Sequence, residues 1–266
     1  MAAHVLVVAT SHNRLGPVAE SAASPASPAP TPGAEPAAGP ADAGLTGVWA
    51  EELAAPWLRL AAAGCRLTLA SVQGGPIPFD PKSLPRAGRD GDAAADSVRQ
   101  FFADRTAMQA VQATPAIATV DIADADAILL PGGHGTMWDL PQSAALAERI
   151  RRLLGRGGIV AALCHGPAGL AGVRSADGRP LVAGRRLTAF TDSEEEKVGL
   201  ARTVPFLLES RLRALGADVV AGPDFQPHAV RDGNLVTGQN PASSEAVADL
   251  LLQALAERGE QVRAAE

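Results

Sequence analysis

Cysteine is nearly absent from this chain. Two cysteines in 266 residues cannot form a disulfide framework, which points to a reducing compartment. No apolar stretch approaches the ~20 residues a membrane helix needs, so no membrane partner is expected. The start, Met1-Ala2-Ala3-His4-Val5-Leu6-Val7-Val8-Ala9-Thr10, lacks the basic region of a signal peptide and reads as a first strand. A cytoplasmic protein is the expectation. Neither sign of charge dominates locally: the net charge is −6 with acids and bases interspersed, so no nucleic-acid partner is expected. After the first strand stands Thr10-Ser11-His12-Asn13 and not a Gly-rich dinucleotide fingerprint, so no nucleotide cofactor is implied.

What is present is an α/β pattern. With 47% hydrophobic residues the chain is long enough for one domain with a substantial core. Apolar runs at 5–9 and 127–130 are of the kind buried on both faces of a parallel sheet, and Cys65–Ser71 alternates. Helical spacing covers about 46–64, with Thr46 as its cap and Pro56 inside, then 96–111, 144–154, 205–215 and a segment after Pro241. Short strands are expected at 187–190, 219–220, 229–230 and 235–237, with Asp232-Gly233 a hairpin turn. Strands alternating with helices predict a doubly wound, mostly parallel sheet with its ligand site at the C-terminal strand ends. The domain is placed at 1–258, with a charged tail frayed over 259–266. Residues 17–43 are Ala/Pro/Ser-rich and read as a disordered insertion. The Pro-rich excursion from Gln73 to Asp96 reads as a lid or pocket wall.

The stretch Gly157-Gly158-Ile159-Val160-Ala161-Ala162-Leu163-Cys164-His165-Gly166-Pro167 organises the rest. An apolar strand stops at a cysteine and turns into a small-residue segment, the logic of a nucleophile elbow. Ala162 and Gly166 supply the small residues such a turn needs. A helix N-terminus beneath the sulfur would favour thiolate. The blander alternative, a buried structural cysteine, gives no reason for the His-Gly-Pro that follows. Cys65 has no adjacent base and reads as structural. Consecutive glycines in Pro131-Gly132-Gly133-His134-Gly135 let backbone N–H groups approach a ligand.

Four ordered motifs, Leu130-Pro131-Gly132-Gly133-His134-Gly135, Ala162-Leu163-Cys164-His165-Gly166-Pro167, Phe190-Thr191-Asp192-Ser193-Glu194-Glu195 and Val236-Thr237-Gly238-Gln239-Asn240-Pro241, resemble the ThiJ/PfpI superfamily, with its class I glutamine amidotransferase-like fold. Thr46-Gly47 before Glu51-Glu52, the Pro-rich excursion and the place of Glu195 resemble its heat-shock chaperone branch. That branch includes the glutathione-independent glyoxalases (glyoxalase III). The resemblance implies Cys164 as nucleophile, His165 as its base, Glu195 as the acid orienting that base and Glu52 as a carboxyl bonded to the sulfur. Asp192 and Glu194 compete with Glu195 for the orienting role. Backbone N–H groups of Gly133 and His165 would form an oxyanion hole.

The chemistry of these residue types agrees. A carboxyl beside a thiolate in a low-dielectric pocket acquires a raised pKa and serves as proton donor and acceptor. Without the motif, Glu52 would be a solvated helix acid, which remains the reading of Glu51. At least two of Glu194, Glu195 and Glu196 should be an acidic helix start. His134 is read as a pocket wall or cap, outside catalysis. His12 and His228 have no ligand at metal spacing, so no metal is expected. The implied function is conversion of 2-oxoaldehydes such as methylglyoxal to 2-hydroxy acids, without cofactor, by a homodimer. A holding chaperone with unfolded clients, and a cysteine peptidase or amidase, are the competing readings. A glutamine amidotransferase fits less well, because His228-Ala229-Val230 lacks the expected Glu.

Overall fold

The computed structural model describes residues 2–16, 44–85 and 93–265. The expected insertion at 17–43 and part of the excursion, 86–92, lie outside the described residues. The strands are β1 (His4–Ala9), β2 (Arg66–Ser71), β3 (Ala127–Leu130), β4 (Ile159–Leu163), β5 (Arg186–Leu187), β6 (Asp218–Val219), β7 (Ala229–Asp232) and β8 (Leu235–Gly238). The helices are α1 (Ala50–Ala62), α2 (Ala93–Ala103), α3 (Arg105–Gln112), α4 (Thr136–Asp139), α5 (Ala144–Gly155), α6 (Asp192–Lys197), α7 (Leu208–Ala214) and α8 (Ser244–Ala265). Among the described residues no helix is long and apolar enough to cross a membrane.

A six-stranded sheet runs β2-β1-β3-β4-β8-β7, parallel except where the β7–β8 hairpin adds an antiparallel edge. β5 and β6 form a separate parallel pair. Alternation sends Leu6, Val8, Ile128, Leu130 and Val160 to one face, against Ile150 and Leu153 of α5 and Leu212 of α7. Val5, Val7, Leu129, Ala161 and Val236 pack on the other, against α1, α2 and α8 through Leu53, Leu60, Phe101 and Leu251. Each fully buried large aliphatic or aromatic side chain contributes about 1.5–3 kcal/mol of transfer free energy. The two layers are what make the expected doubly wound sheet stable.

β1 has β2 on one side and β3 on the other, so the chain reverses direction there and leaves a crevice at the C-terminal strand ends. The β3–β4 register, Leu130 opposite Ala162, brings the ends of these two strands together. The Gly132-Gly133-His134 turn therefore meets Cys164.

Several expectations are corrected. α1 starts after Trp49, and Thr46 is not its cap; the hydroxyl of Thr46 donates to Asp80 (3.1 Å). Asp80 lies in the excursion, whose described part is bonded to Val48 through Pro78 and Asp80, which ties it to the segment leading into α1. α1 runs through Pro56, and the carbonyl of Glu52, four residues back, is the one deprived of its helical N–H. The expected helix at 96–111 is broken at Asp104, whose carboxylate accepts from Thr106 and Ala107 and starts α3. The 187–190 strand shrinks to two residues. The 205–215 helix begins only at Leu208. The tail is helical through Ala265.

Candidate active site

Cys164 follows β4 directly and takes φ = +56°, a left-handed conformation a non-glycine residue adopts only where its surroundings impose it. They do so here. Its N–H donates to the Gly238 carbonyl (2.8 Å) and its carbonyl accepts from Phe190 (2.9 Å). A Cβ at Gly166 would lie 2.2 Å from the Leu130 carbonyl oxygen, so the turn closes only with glycine there. Beyond it, Gly166–Leu170 is a 3₁₀ turn and not the expected α-helix.

His165 is fully buried, with Nδ1 3.2 Å from the Cys164 sulfur and Nε2 2.7 Å from Glu195 Oε2. Burial alone would raise the Glu195 carboxyl, but hydrogen bonds from His134 and His165 overcome that and hold it at about 2. An ionised Glu195 accepts the hydrogen bond from His165 Nε2–H, which leaves Nδ1 as acceptor toward the thiol. Burial first, then the neighbouring imidazole of His134, depresses His165 to about 4 despite Glu195. The ring is therefore neutral and basic-side-in at neutral pH.

Glu52 projects from the first turn of α1 and is wholly buried. Its Oε2 accepts the Gly132 N–H (2.8 Å). Oε1 completes no hydrogen bond, yet carboxyl and thiol lie close enough for each to shift the other. Burial pushes the Glu52 carboxyl well above the usual range, with Glu51 adding a smaller like-charge effect. Burial, and then Glu52, push the Cys164 thiol up as well, with only the Gly133 N–H favouring thiolate. The resting pair is thus thiol beside carboxylic acid. The expectation of a thiolate stabilised by a helix end is wrong, because Cys164 is only 4% exposed and no α-helix starts beneath it.

The glycines are there for contact. A Cβ on Gly132 would stand 2.6 Å from Glu52 Oε2, and one on Gly133 (φ = +100°) 2.3 Å from the Gly47 carbonyl oxygen.

The sequence profile of the DJ-1/PfpI family matches residues 45–254. The chain belongs to the DJ-1/PfpI family. Glutathione-independent glyoxalase HSP31 of Saccharomyces cerevisiae is 31% identical over 221 residues, covering 80% of this chain and 91% of the yeast protein. The rapid encystment protein of Francisella tularensis superposes with a TM-score of 0.80 at 30% identity, over 95% of this chain and 99% of that one. Glyoxalase III from Candida albicans shares the fold, with a TM-score of 0.76 at 24% identity over 95% and 97% of the two chains. Relatives named as glyoxalases support enzymatic activity in this family.

Of the three acids competing for His165 in this DJ-1/PfpI protein, Glu195 is the one beside it. Asp192 is turned to Ser210. Glu194 lies in the acidic first turn of α6, as expected of that run, but is buried there; it closes a capping box with Thr191 and accepts from Asn240 (2.8 Å). Glu196 remains exposed. His134, set aside as a wall or cap, donates Nε2–H to Glu195 Oε1 (2.9 Å), its ring 4.2 Å from that of His165. No spacing rule links 134 to 195; the Gly-Gly-His turn was the only available signal. His134, His165 and Glu195 also offer ligand atoms within 4.8 Å of one another, so a potential metal-holding trio exists where none was expected. Each short contact in it joins an imidazole nitrogen to a different carboxylate oxygen, at hydrogen-bond length. As hydrogen-bonded, the trio orients two imidazoles on one carboxylate.

Proposed function

We propose that the protein is a glutathione-independent glyoxalase that converts methylglyoxal and related 2-oxoaldehydes to 2-hydroxy acids. The observation that carries the reading is the buried Glu52 carboxyl, held by Gly132 beside the Cys164 thiol, with the neutral His165 ring 3.2 Å from the same sulfur. As the sulfur attacks the aldehyde carbon C1, His165 Nδ1 takes the thiol proton and Glu52 protonates the C1 oxygen. The Glu52 carboxylate so formed removes the C1 proton, and His165 returns its proton to the C2 oxygen, giving an enediol. Glu52 delivers the proton to C2 and recovers one from the C1 hydroxyl, leaving a thioester. Water deprotonated by His165 cleaves the C1–S bond and restores the thiol. C1 is oxidised by two electrons and C2 reduced by two, so the net change is addition of water.

Glu195 keeps His165 in the tautomer this sequence needs, and the Gly133 N–H facing the sulfur is placed to stabilise charge there. His165's own N–H is the second proposed donor. Among the described residues the large apolar side chains left exposed are Val198, Phe225 and Val262, too few for the wide face a holding chaperone needs. Incubation with methylglyoxal without glutathione, following substrate loss and lactate, tests the proposal. Turnover should be readily measured in the wild type and absent from Cys164→Ser. A wild type without turnover would overturn it.

A further inference from the structure

Besides Cys164, one described non-glycine residue has a positive φ: Phe225, at +58°. Strain of this kind persists only where the surroundings over-determine it, and around Phe225 they do so with unusual thoroughness. Its N–H donates to Glu194 Oε1 (2.7 Å), an oxygen shared with Asn240 Nδ2 (2.8 Å) and Gln239 Nε2 (3.2 Å). Gln239 Oε1 accepts from the Gly222 N–H (2.8 Å), and Asn240 Nδ2 also donates to the Gln226 carbonyl (2.9 Å). Asp224 accepts from Ser193 (2.6 Å) and from Lys197. The Gln239-Asn240 motif, which the proposed chemistry leaves unused, is thereby explained: together with Glu194 it fixes the 222–226 turn on α6.

The side chain so fixed is not itself buried. Phe225 is 43% exposed. It lies 6.3 Å from Phe190, whose ring is 4.5 Å from that of His165. An aromatic row thus leads from the proposed base outward to solvent, ending on a strained residue held in place by three buried polar side chains. Rigid display of an exposed aromatic ring one ring removed from the proposed base, Phe190 lying between, is a feature that selection for an apolar group on an extended ligand requires.

We infer that Phe225 is a specificity-determining residue, the outer wall for the group carried on C2 of the substrate, and that it favours 2-oxoaldehydes with an aromatic or extended apolar group over methylglyoxal. The inference rests on the proposed activity, so its test needs a readout that does not. Phe225→Gly removes the ring and accepts the positive φ without strain, so folding is preserved. Two ratios are measured in wild type and variant: kcat/KM for phenylglyoxal over methylglyoxal, and the rate of Cys164 alkylation by phenacyl bromide over bromoacetone. Both should fall about three- to tenfold in the variant, the size of one aromatic contact. Unchanged ratios would overturn the inference, and if sedimentation then shows weakened self-association, the ring belongs to an interface between copies. Should the wild type turn over neither aldehyde, the glyoxalase reading fails and the alkylation ratio alone decides the role of Phe225.

Discussion

Replacing Glu52 by glutamine separates proton transfer from every structural duty of this side chain. The carboxyl is wholly buried, held above its usual pKa by burial and bonded to the Gly132 N–H at 2.8 Å. Glutamine has the same shape, keeps an oxygen for that N–H and replaces one neutral group by another. The stability change should stay within about 1 kcal/mol, the worth of one ordinary hydrogen bond, or about 2–4 °C in Tm for a domain of this size. Turnover is another matter, since an amide neither gives nor takes the C1 proton. General acid–base catalysis contributes typically 10²–10⁴-fold, so methylglyoxal turnover should fall by about that factor, a barrier increase of roughly 3–5 kcal/mol. A third readout is independent of turnover. Because the amide replaces a carboxyl that burial already keeps neutral, Cys164 loses no charged neighbour, and its rate with iodoacetamide at pH 8 should stay close to that of wild type, showing the sulfur still in place. Glu51→Gln is the control and should behave as wild type. Turnover within threefold of wild type in Glu52→Gln, or loss of turnover in Glu51→Gln instead, would refute the reasoning. So would a drop in Tm large enough to account for the lost activity.

Gly133→Ala should cost about 2–5 kcal/mol, because its Cβ would meet the Gly47 oxygen at 2.3 Å and its φ of +100° is strained for any other residue; a urea midpoint like that of wild type would refute the packing. His134→Ala removes a donor that holds Glu195 at about 2, and a neighbour that depresses His165. Both groups should therefore rise, and the acid limb of the pH–rate profile should move up by about one unit, with His134→Gln restoring it in part; an unmoved limb would separate His134 from the relay. Stability against acid follows from four groups of known sign, the first being Glu52, which burial raises well above 4.5 and which therefore adds stability as pH falls toward 4.5. His165, at about 4 against an ordinary 6.5, loses stability as pH falls through that interval. Asp139, raised by burial to about 6 from 3.8, gains nearly as much over nearly the same range. Glu195, at about 2 against 4.5, is then unopposed by Asp139 below pH 4. Urea midpoints should thus hold or rise between pH 7 and 5 and fall below about 4.5, less so in Glu195→Gln; a steep fall already above pH 5 would contradict the balance.

Much of this protein was decided locally, and was therefore open to reading. The elbow is written in Leu163-Cys164-His165-Gly166, since a tight turn after a buried strand needs small neighbours. The hairpin is written in Asp232-Gly233, whose glycine does take φ = +57°. The parallel sheet follows from strands that are apolar on both faces. The carboxyl at Glu52 and the family itself were visible because motifs keep their order along the chain. What only the tertiary structure decided are matters of distance and burial between segments far apart. The acid bonded to His165 is Glu195 because successive helix residues point about 100° apart, and only the docking of α6 determines which one meets His165. His134 reaches that acid across 61 positions, and Thr46 finds Asp80 across 34, separations that carry no periodicity. The protonation of Cys164 is the plainest case. A residue string suggests a helix end and a thiolate, whereas a buried Cys164 beside a buried carboxylic acid keeps its proton, because charge in a low-dielectric interior is costly and that interior exists only once the chain has folded.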